Sequence, residues 1–328
     1  MQFTNWKEWV KKYIIKNDNN KEKPKKLQDI SIPIPSTRST ELLQPNQVLT
    51  RENVTYNKDG TVRLFPTNEN GSYFVLGKQN PNNLKNFTTD SHNKFVKQKE
   101  RNIEYWSVFS GDITYRSTGE HAKSCRLNIF ASTTKQTNDW KAAMKSGFIG
   151  NEKDLKNQEL TVIIRMNKRV GRKTTCCMKM RGGGHHRYNP DQAACIQLDV
   201  STRDSGHAAR WAKELSHPLY EYQNLNPFFE FFIEEGKWFG MKTTSWNNKD
   251  NFTTTNRCYI DPDPFNSDGT LRNNYRLYSE YIDKGNGNRY PEIVVNWAGG
   301  VPATIRVDGF ENVDFYACNA REIFSPLD

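Results

Sequence analysis

KTTCCMKMRGGGHHRYNPDQAACIQLDV, residues 173–200, reads as two strand-like segments around a glycine run that ends in paired histidines. Successive side chains of an extended strand point to opposite faces. Cys176, Met178 and Met180 therefore share one face, and Cys177, Lys179 and Arg181 share the other. The second segment repeats the pattern, with Ile196 and Leu198 on one side and Gln197 and Asp199 on the other. One face is suited to a core. The opposite face, with Lys179, Arg181, Gln197 and Asp199 beside His185 and His186, is a candidate binding or catalytic surface.

Outward from this stretch the same grammar continues. From about residue 53 short apolar or alternating runs are separated by turn residues: TVRLFP, GSYFVLG, IEYWSVF, CRLNIFAS, LTVIIRM, then KWFGMKTTSW, RCYIDP, EIVVNW and ATIRVD. Strands of this length and spacing, without helical patterns between them, predict an all-β antiparallel sandwich or jelly roll over 53–328. Two short helices are expected as exceptions, near 137–146 and 210–215. Ahead of the sandwich, Trp6, Trp9, Val10, Tyr13 and Ile14 recur at helical spacing with lysines between them, which predicts a basic amphipathic helix over 4–16. Residues 17–50, rich in Asn, Lys, Pro and Ser, read as an extended arm, so that residues 1–52 form a separate N-terminal region.

The chain has 328 residues, of which 35% are hydrophobic and 12% aromatic, enough for a sizeable core. Its net charge of +10 favours polyanionic partners. The excess is uneven: residues 1–27 hold eight Lys against three acidic residues, and 165–187 hold eight Lys or Arg against none. No nucleic-acid motif accompanies these charges, so no specific nucleic-acid partner is expected. Six cysteines lack zinc-ligand spacing and read as small buried hydrophobes. The N-terminus lacks the apolar core of a signal peptide and no segment has the apolar length to cross a bilayer, so synthesis in a cytoplasm is expected. No cofactor is expected. Asp261 and Asp263 in DPDPFNSDG offer oxygen ligands for calcium, but Asp-Pro and Asp-Gly pairs are ordinary turn chemistry, which is the favoured reading.

A second concentration of chemistry lies in HAARWAKELSHPLYEY, residues 207–222. Trp211 is a candidate for stacking on a sugar ring, and Arg210, Lys213, Glu214 and His217 supply charge and acid–base groups. Trp238, Trp246 and Trp297 are further stacking candidates.

MKMRGGGHH, CIQLDV, ARWAKELSHPLYEY, GKWFGMKTTSWN and the terminal VNWAGGVPATIRVDGFENVDFYACNAREI together resemble a lectin-like, concanavalin A-like β-sandwich group of archaeal and viral proteins, over about residues 100–324. That architecture is shared with alginate-lyase and glucuronan-lyase type polysaccharide lyases. The resemblance implies carbohydrate recognition on a concave sheet. In the lyases it further implies an Arg and a Gln or Asn that neutralise a uronate carboxylate, with a His and a Tyr that handle protons. Arg181 and Gln197 match the first pair in type. Where alginate lyases read Gln-Ile-His, this chain reads Gln197-Leu198-Asp199, so the usual histidine is missing and His185 and His186 are the candidate substitutes.

The expected activity is therefore binding of an acidic polysaccharide or cell-surface glycan through Lys179, Arg181, His185, His186, Gln197, Asp199, Trp211, Lys213 and His217. Residues 1–50 are expected to dock on a larger protein assembly, such as a virion surface. A polysaccharide lyase using His185, His186, Arg181 and Gln197, and a non-enzymatic capsid or assembly protein, are the competing expectations.

Overall fold

A computed structural model of the chain describes residues 55–56, 62–63, 73–75, 80–83, 87–89, 93–115, 118–129, 156–182, 194–223, 225–250, 252–296 and 303–323. All of these fall in the second of the two units into which the chain divides, Leu42–Asp328. The expected helix over 4–16, the helix near 137–146, Trp297, His185 and His186 lie outside the described residues.

The first strands in chain order are β1 (Thr55–Tyr56), β2 (Val62–Arg63), β3 (Tyr73–Val75), β4 (Phe87–Thr89), β5 (Val96–Glu100), β6 (Ile103–Phe109), β7 (Gly111–Thr114) and β8 (His121–Ile129). They are followed by β9 (Gln158–Arg169), β10 (Thr175–Met180), β11 (Cys195–Ser201), β12 (Ala209–Ser216), β13 (Leu219–Gln223) and β14 (Trp238–Asn247). The last are β15 (Thr254–Asp261), β16 (Arg276–Asp283), β17 (Ala303–Asp308) and β18 (Phe310–Glu322). Apart from the β1–β2 pair they form two eight-stranded sheets, and every strand pairing is antiparallel. Sheet I runs β13-β12-β11-β10-β17-β8-β4, with β7 also on β8. Sheet II runs β16-β15-β14-β9-β18-β6-β5, with β3 also on β18. The expected antiparallel sandwich is what the chain forms.

Alternation fixes which face of each strand turns inward. Cys176, Met178, Met180, Ile196, Leu198 and Val200 from sheet I meet Leu160, Val162, Ile164, Met241, Cys258, Ile260 and Cys318 from sheet II in one core. β9 holds the centre of sheet II because its run Leu160–Ile164 is rich in β-branched residues that pack well on a pleated surface. The chain crosses between sheets at Gly309, between β17 and β18. Its φ of +80° is closed to most side chains, and an added Cβ there would lie 2.2 Å from the Lys173 carbonyl oxygen. All six cysteines are free and buried, as small apolar residues are.

The segment 210–215, expected as a short helix, lies in strand β12. Its residues alternate: Trp211 is inside, and register pairs Ala212 with the outward-facing Gln197. Period-two pairing with β11 and β13 overrides the helical propensity of Ala, Lys, Glu and Leu. Among the described residues no helix has the length and apolarity to cross a membrane.

Candidate functional site

The face of sheet I that points away from the core carries polar side chains on six neighbouring strands. Strand register places its side chains in rows. One row reads Arg126, Arg306, Cys177, Asp199, Arg210, and the next reads Asn128, Thr304, Lys179, Gln197, Ala212, Tyr222. Glu214 stands between Cys195 and Tyr220 in a third row. Lys179, Gln197 and Asp199 thus share the outward face that their spacing predicts.

Arg181 does not join them. One residue past β10 its backbone takes φ +59°, which breaks the alternation and turns the side chain into the sandwich. There the fully buried guanidinium donates from Nε to Ser245 Oγ at 2.5 Å and from Nη1 to Asn247 Oδ1 at 2.8 Å, both on β14 of the opposite sheet. Burial pushes its pKa down. Arg181 ties the two sheets together, and its expected place on a ligand face is corrected.

Two further candidates are also interior. Trp211 has no solvent exposure, donates from Nε1 to Ser279 Oγ at 2.9 Å and packs in the main core. Lys213 is buried beside it on the inner face, 2.7 Å from Asp283 Oδ1 and 2.5 Å from the Ile293 carbonyl oxygen. Both point inward because they lie two residues apart on the core side of β12. Trp246 is buried as well, and Trp238 stands edge-on to Tyr105 and Phe265 in an aromatic cluster.

The polar face is organised around two carboxylates. Glu214, without solvent exposure, accepts from Lys179 Nζ at 2.8 Å and from Cys195 Sγ at 3.3 Å, and its other oxygen lies 2.8 Å from His217 Nδ1. Burial alone would raise this carboxyl, but the Lys179 ammonium and the hydrogen bonds from His217 and Lys179 outweigh it and hold the group well below the usual carboxylate range. Lys179 also reaches Tyr220 Oη at 3.3 Å, and the His217 and Tyr220 rings meet edge-on with centroids 6.3 Å apart. Burial raises the Tyr220 hydroxyl, so it stays protonated through the physiological range.

Asp199 is the second carboxylate, and its bonds are longer. Gln197 Nε2 and Arg210 Nη2 each approach it at 3.4 Å, and the buried Gln197 Oε1 has no partner among the described residues. The Arg210 guanidinium carbon lies 3.7 Å from the centroid of the Tyr222 ring, which stacks in turn on Tyr220 at 5.7 Å with 25° between planes. Tyr222 is 41% exposed at the sheet edge. Farther along, Arg306 clasps Asp308 through two nitrogens at 2.9 and 2.8 Å. Tyr220, Tyr222 and Arg306 carry this surface without having been singled out by sequence. The period-two placement of the tyrosines in LYEYQ is the signal that marks a shared face.

Asp261 does turn work, accepting from the Asp263 and Asn274 amides at 3.2 and 2.8 Å, while Asp263 pairs with Arg272 at 2.5 Å. Among the described residues no three His, Cys, Asp or Glu side chains gather as a metal site.

No protein-family model and no curated protein matches the chain. Similar solved structures include peanut lectin with a nonapeptide, at 7% identity and TM-score 0.36, covering 78% of this chain and 99% of that one. Lectin I of Ulex europaeus with the methyl glycoside of α-L-fucose is 8% identical at TM-score 0.37, covering 77% and 98%. The VIP36 exoplasmic/lumenal domain, bound to Ca2+ and Man3GlcNAc, is 8% identical at 0.37, covering 76% and 89%. At these scores neither a residue role nor a ligand transfers, and the sandwich rests on the strand pairings above.

Proposed function

We propose that this is a glycan-binding protein whose recognition surface is the outward face of sheet I, and that its ligand is an acidic polysaccharide. One observation carries the reading: half-buried Tyr220 stacks on exposed Tyr222, and the pair borders a field of charged and amide side chains on adjoining strands. Tyrosine offers a flat apolar ring for a sugar face and a polar edge for its hydroxyls. Lys179, Gln197, Asp199 and Arg210 beside it supply donors and acceptors fixed by strand register. Four cations, Arg126, Lys179, Arg210 and Arg306, stand against three carboxylates, Asp199, Glu214 and Asp308, on that face, which favours an anionic ligand. His185 and His186 are proposed to reach the ligand from the segment between β10 and β11. Residues 1–50, with their lysine-rich start, are proposed to dock on a larger assembly such as a virion surface.

A glycan array probed with the wild type and with Tyr222→Ala tests the reading. Retention on acidic polysaccharides, weakened about tenfold by Tyr222→Ala, is expected for a lost aromatic contact of about 1.4 kcal/mol. A wild type that retains no glycan overturns it.

A second reading is favoured by the His217–Glu214–Lys179–Tyr220 cluster, a histidine and a protonated tyrosine on one face. In β-elimination a base takes the proton beside the uronate carboxylate, and the glycosidic oxygen leaves with a proton from an acid. The unsaturated product absorbs ultraviolet light. Absence of that absorbance on alginate and glucuronan excludes the reading for those polymers.

A further inference from the structure

We propose that the end of the sandwich carrying the β14–β15 hairpin is a lipid-contacting tip, which inserts Phe252 into the surface of a bilayer with anionic headgroups. Phe252 is 77% exposed, the largest value among the exposed large hydrophobic residues described. A ring left in water holds burial energy that the fold has not used. The ring is also held by a built turn. Asp250 accepts from the Phe252 and Thr253 amides at 2.8 and 2.9 Å and from Thr253 Oγ1 at 2.8 Å. Asn248 donates from Nδ2 to Thr253 Oγ1 at 2.8 Å, and its amide closes the hairpin on the Thr253 carbonyl at 3.0 Å. Such a turn presents the ring before any partner arrives, so little conformational freedom is lost on contact.

The surroundings of the ring match a charged lipid interface. Register sets Thr254 opposite Asp283 and Thr255 opposite Ile282, so Lys284 emerges beside the hairpin tip. Ile282, itself 37% exposed, stands three strand residues behind the ring, roughly 10 Å. Lys249 in the turn, and Lys284 and Arg289 in the loop after β16, are exposed and form no ion pair among the described residues. Against them stand Glu292 and Asp250, and the turn already occupies the Asp250 oxygens. The cations are in excess here, as they are in the whole chain at +10. A protein partner would need a wide complementary face, which one ring and one neighbouring aliphatic do not supply. A lipid surface takes a single ring at the boundary of headgroups and acyl chains and draws lysine and arginine by its surface potential.

The registers also supply a control. The hairpin lies where β14 meets the start of β9, Ser245 opposite Gln158. Phe109, 58% exposed, pairs with Asn312 and through it with Asn167, at the other end of β9. All six cysteines are buried, so a thiol introduced at either position is the one that takes a label.

The test uses the full chain and vesicles of phosphatidylcholine, with and without phosphatidylserine. Phe252→Cys carrying an environment-sensitive fluorophore is expected to shift its emission to the blue on phosphatidylserine vesicles, while the same label on Phe109→Cys stays unshifted. In flotation, Phe252→Ser should bind those vesicles about 10- to 100-fold more weakly than the wild type, the worth of one buried phenyl ring. Lys249→Gln combined with Lys284→Gln should lose about fivefold for each cation removed. Phe252→Ser carries the test if the labelled variant fails to melt cooperatively. A label at 252 that stays unshifted while the chain floats with phosphatidylserine vesicles places the membrane contact elsewhere and overturns the proposal. A label at 109 that shifts equally, or a chain that floats with neither vesicle, overturns it as well. An equal shift on phosphatidylcholine alone overturns the anionic assignment.

Discussion

Glu214 has no contact with solvent, yet it stays ionised because Lys179, Cys195 and His217 from three strands or turns of sheet I converge on it. Its folded pKa lies below the ordinary glutamate value of 4.5. A depressed carboxylate contributes stability that is complete above the unfolded value and is lost as the pH falls toward the folded one. Stability measured by urea titration is therefore expected to hold above about pH 4.5 and to decline below it. Glu214→Gln should flatten that acid decline and lower stability at neutral pH, where Lys179 loses its counter-charge. An acid limb unchanged in the variant refutes the assignment. Arg181 is the residue where strand alternation misleads. Period two assigns its side chain to the outward face of sheet I, and one left-handed φ sends it between the sheets. A glycine run after an arginine signals a bend, but composition does not reveal which side of the sheet the side chain takes.

At the scale of elements, β12 separates the core from the proposed recognition face by alternation. Its inner face carries Trp211 in the core and Lys213 in a buried pair with Asp283. Asp283 in turn accepts from the Gly285 and Val295 amides, so Lys213 helps fasten the 284–295 segment that also offers it the Ile293 carbonyl. Trp211→Ala should cost about 3–5 kcal/mol in chemical denaturation through the cavity it leaves. Lys213→Met should cost about as much, because it strands the Asp283 carboxylate in the interior. Tyr222→Ala, at the exposed edge of β13, should change stability by less than about 1 kcal/mol while weakening glycan retention. A large stability loss in Tyr222→Ala with unaltered retention would place the tyrosine in the scaffold. The faces of β10 and β11 are legible in sequence because hydrophobic and polar residues alternate cleanly there. β12 is not, because Arg-Trp-Ala-Lys-Glu-Leu contains strong helix formers and an interior lysine. Only its pairing with β11 and β13 settles the period, and only a carboxylate from the other sheet explains a buried ammonium.

For the whole molecule, the proposed glycan binding predicts separable contributions from the net charge of +10 and from the local chemistry of sheet I. Residues 1–50 supply four of the ten net positive charges, and that attraction to any polyanion is long-ranged and screened by salt. The contacts proposed for Arg210, Gln197 and Tyr222 would act at hydrogen-bond and van der Waals distance on a partly desolvated face, where salt reaches less. Raising the ionic strength from about 0.05 to about 0.2 M shortens the screening length from roughly 14 to roughly 7 Å. The full chain should then lose much of its affinity for mannuronate and for unrelated polyanions alike. A chain lacking residues 1–50 should start weaker, lose less with salt, and keep the same ratio of mannuronate to mannose affinity. Surface plasmon resonance of both chains across that salt range measures the slopes and the ratio together. If the ratio disappears with the first fifty residues, selectivity belongs to the N-terminal region. A ratio that survives, on a flatter salt dependence, belongs to the face of sheet I.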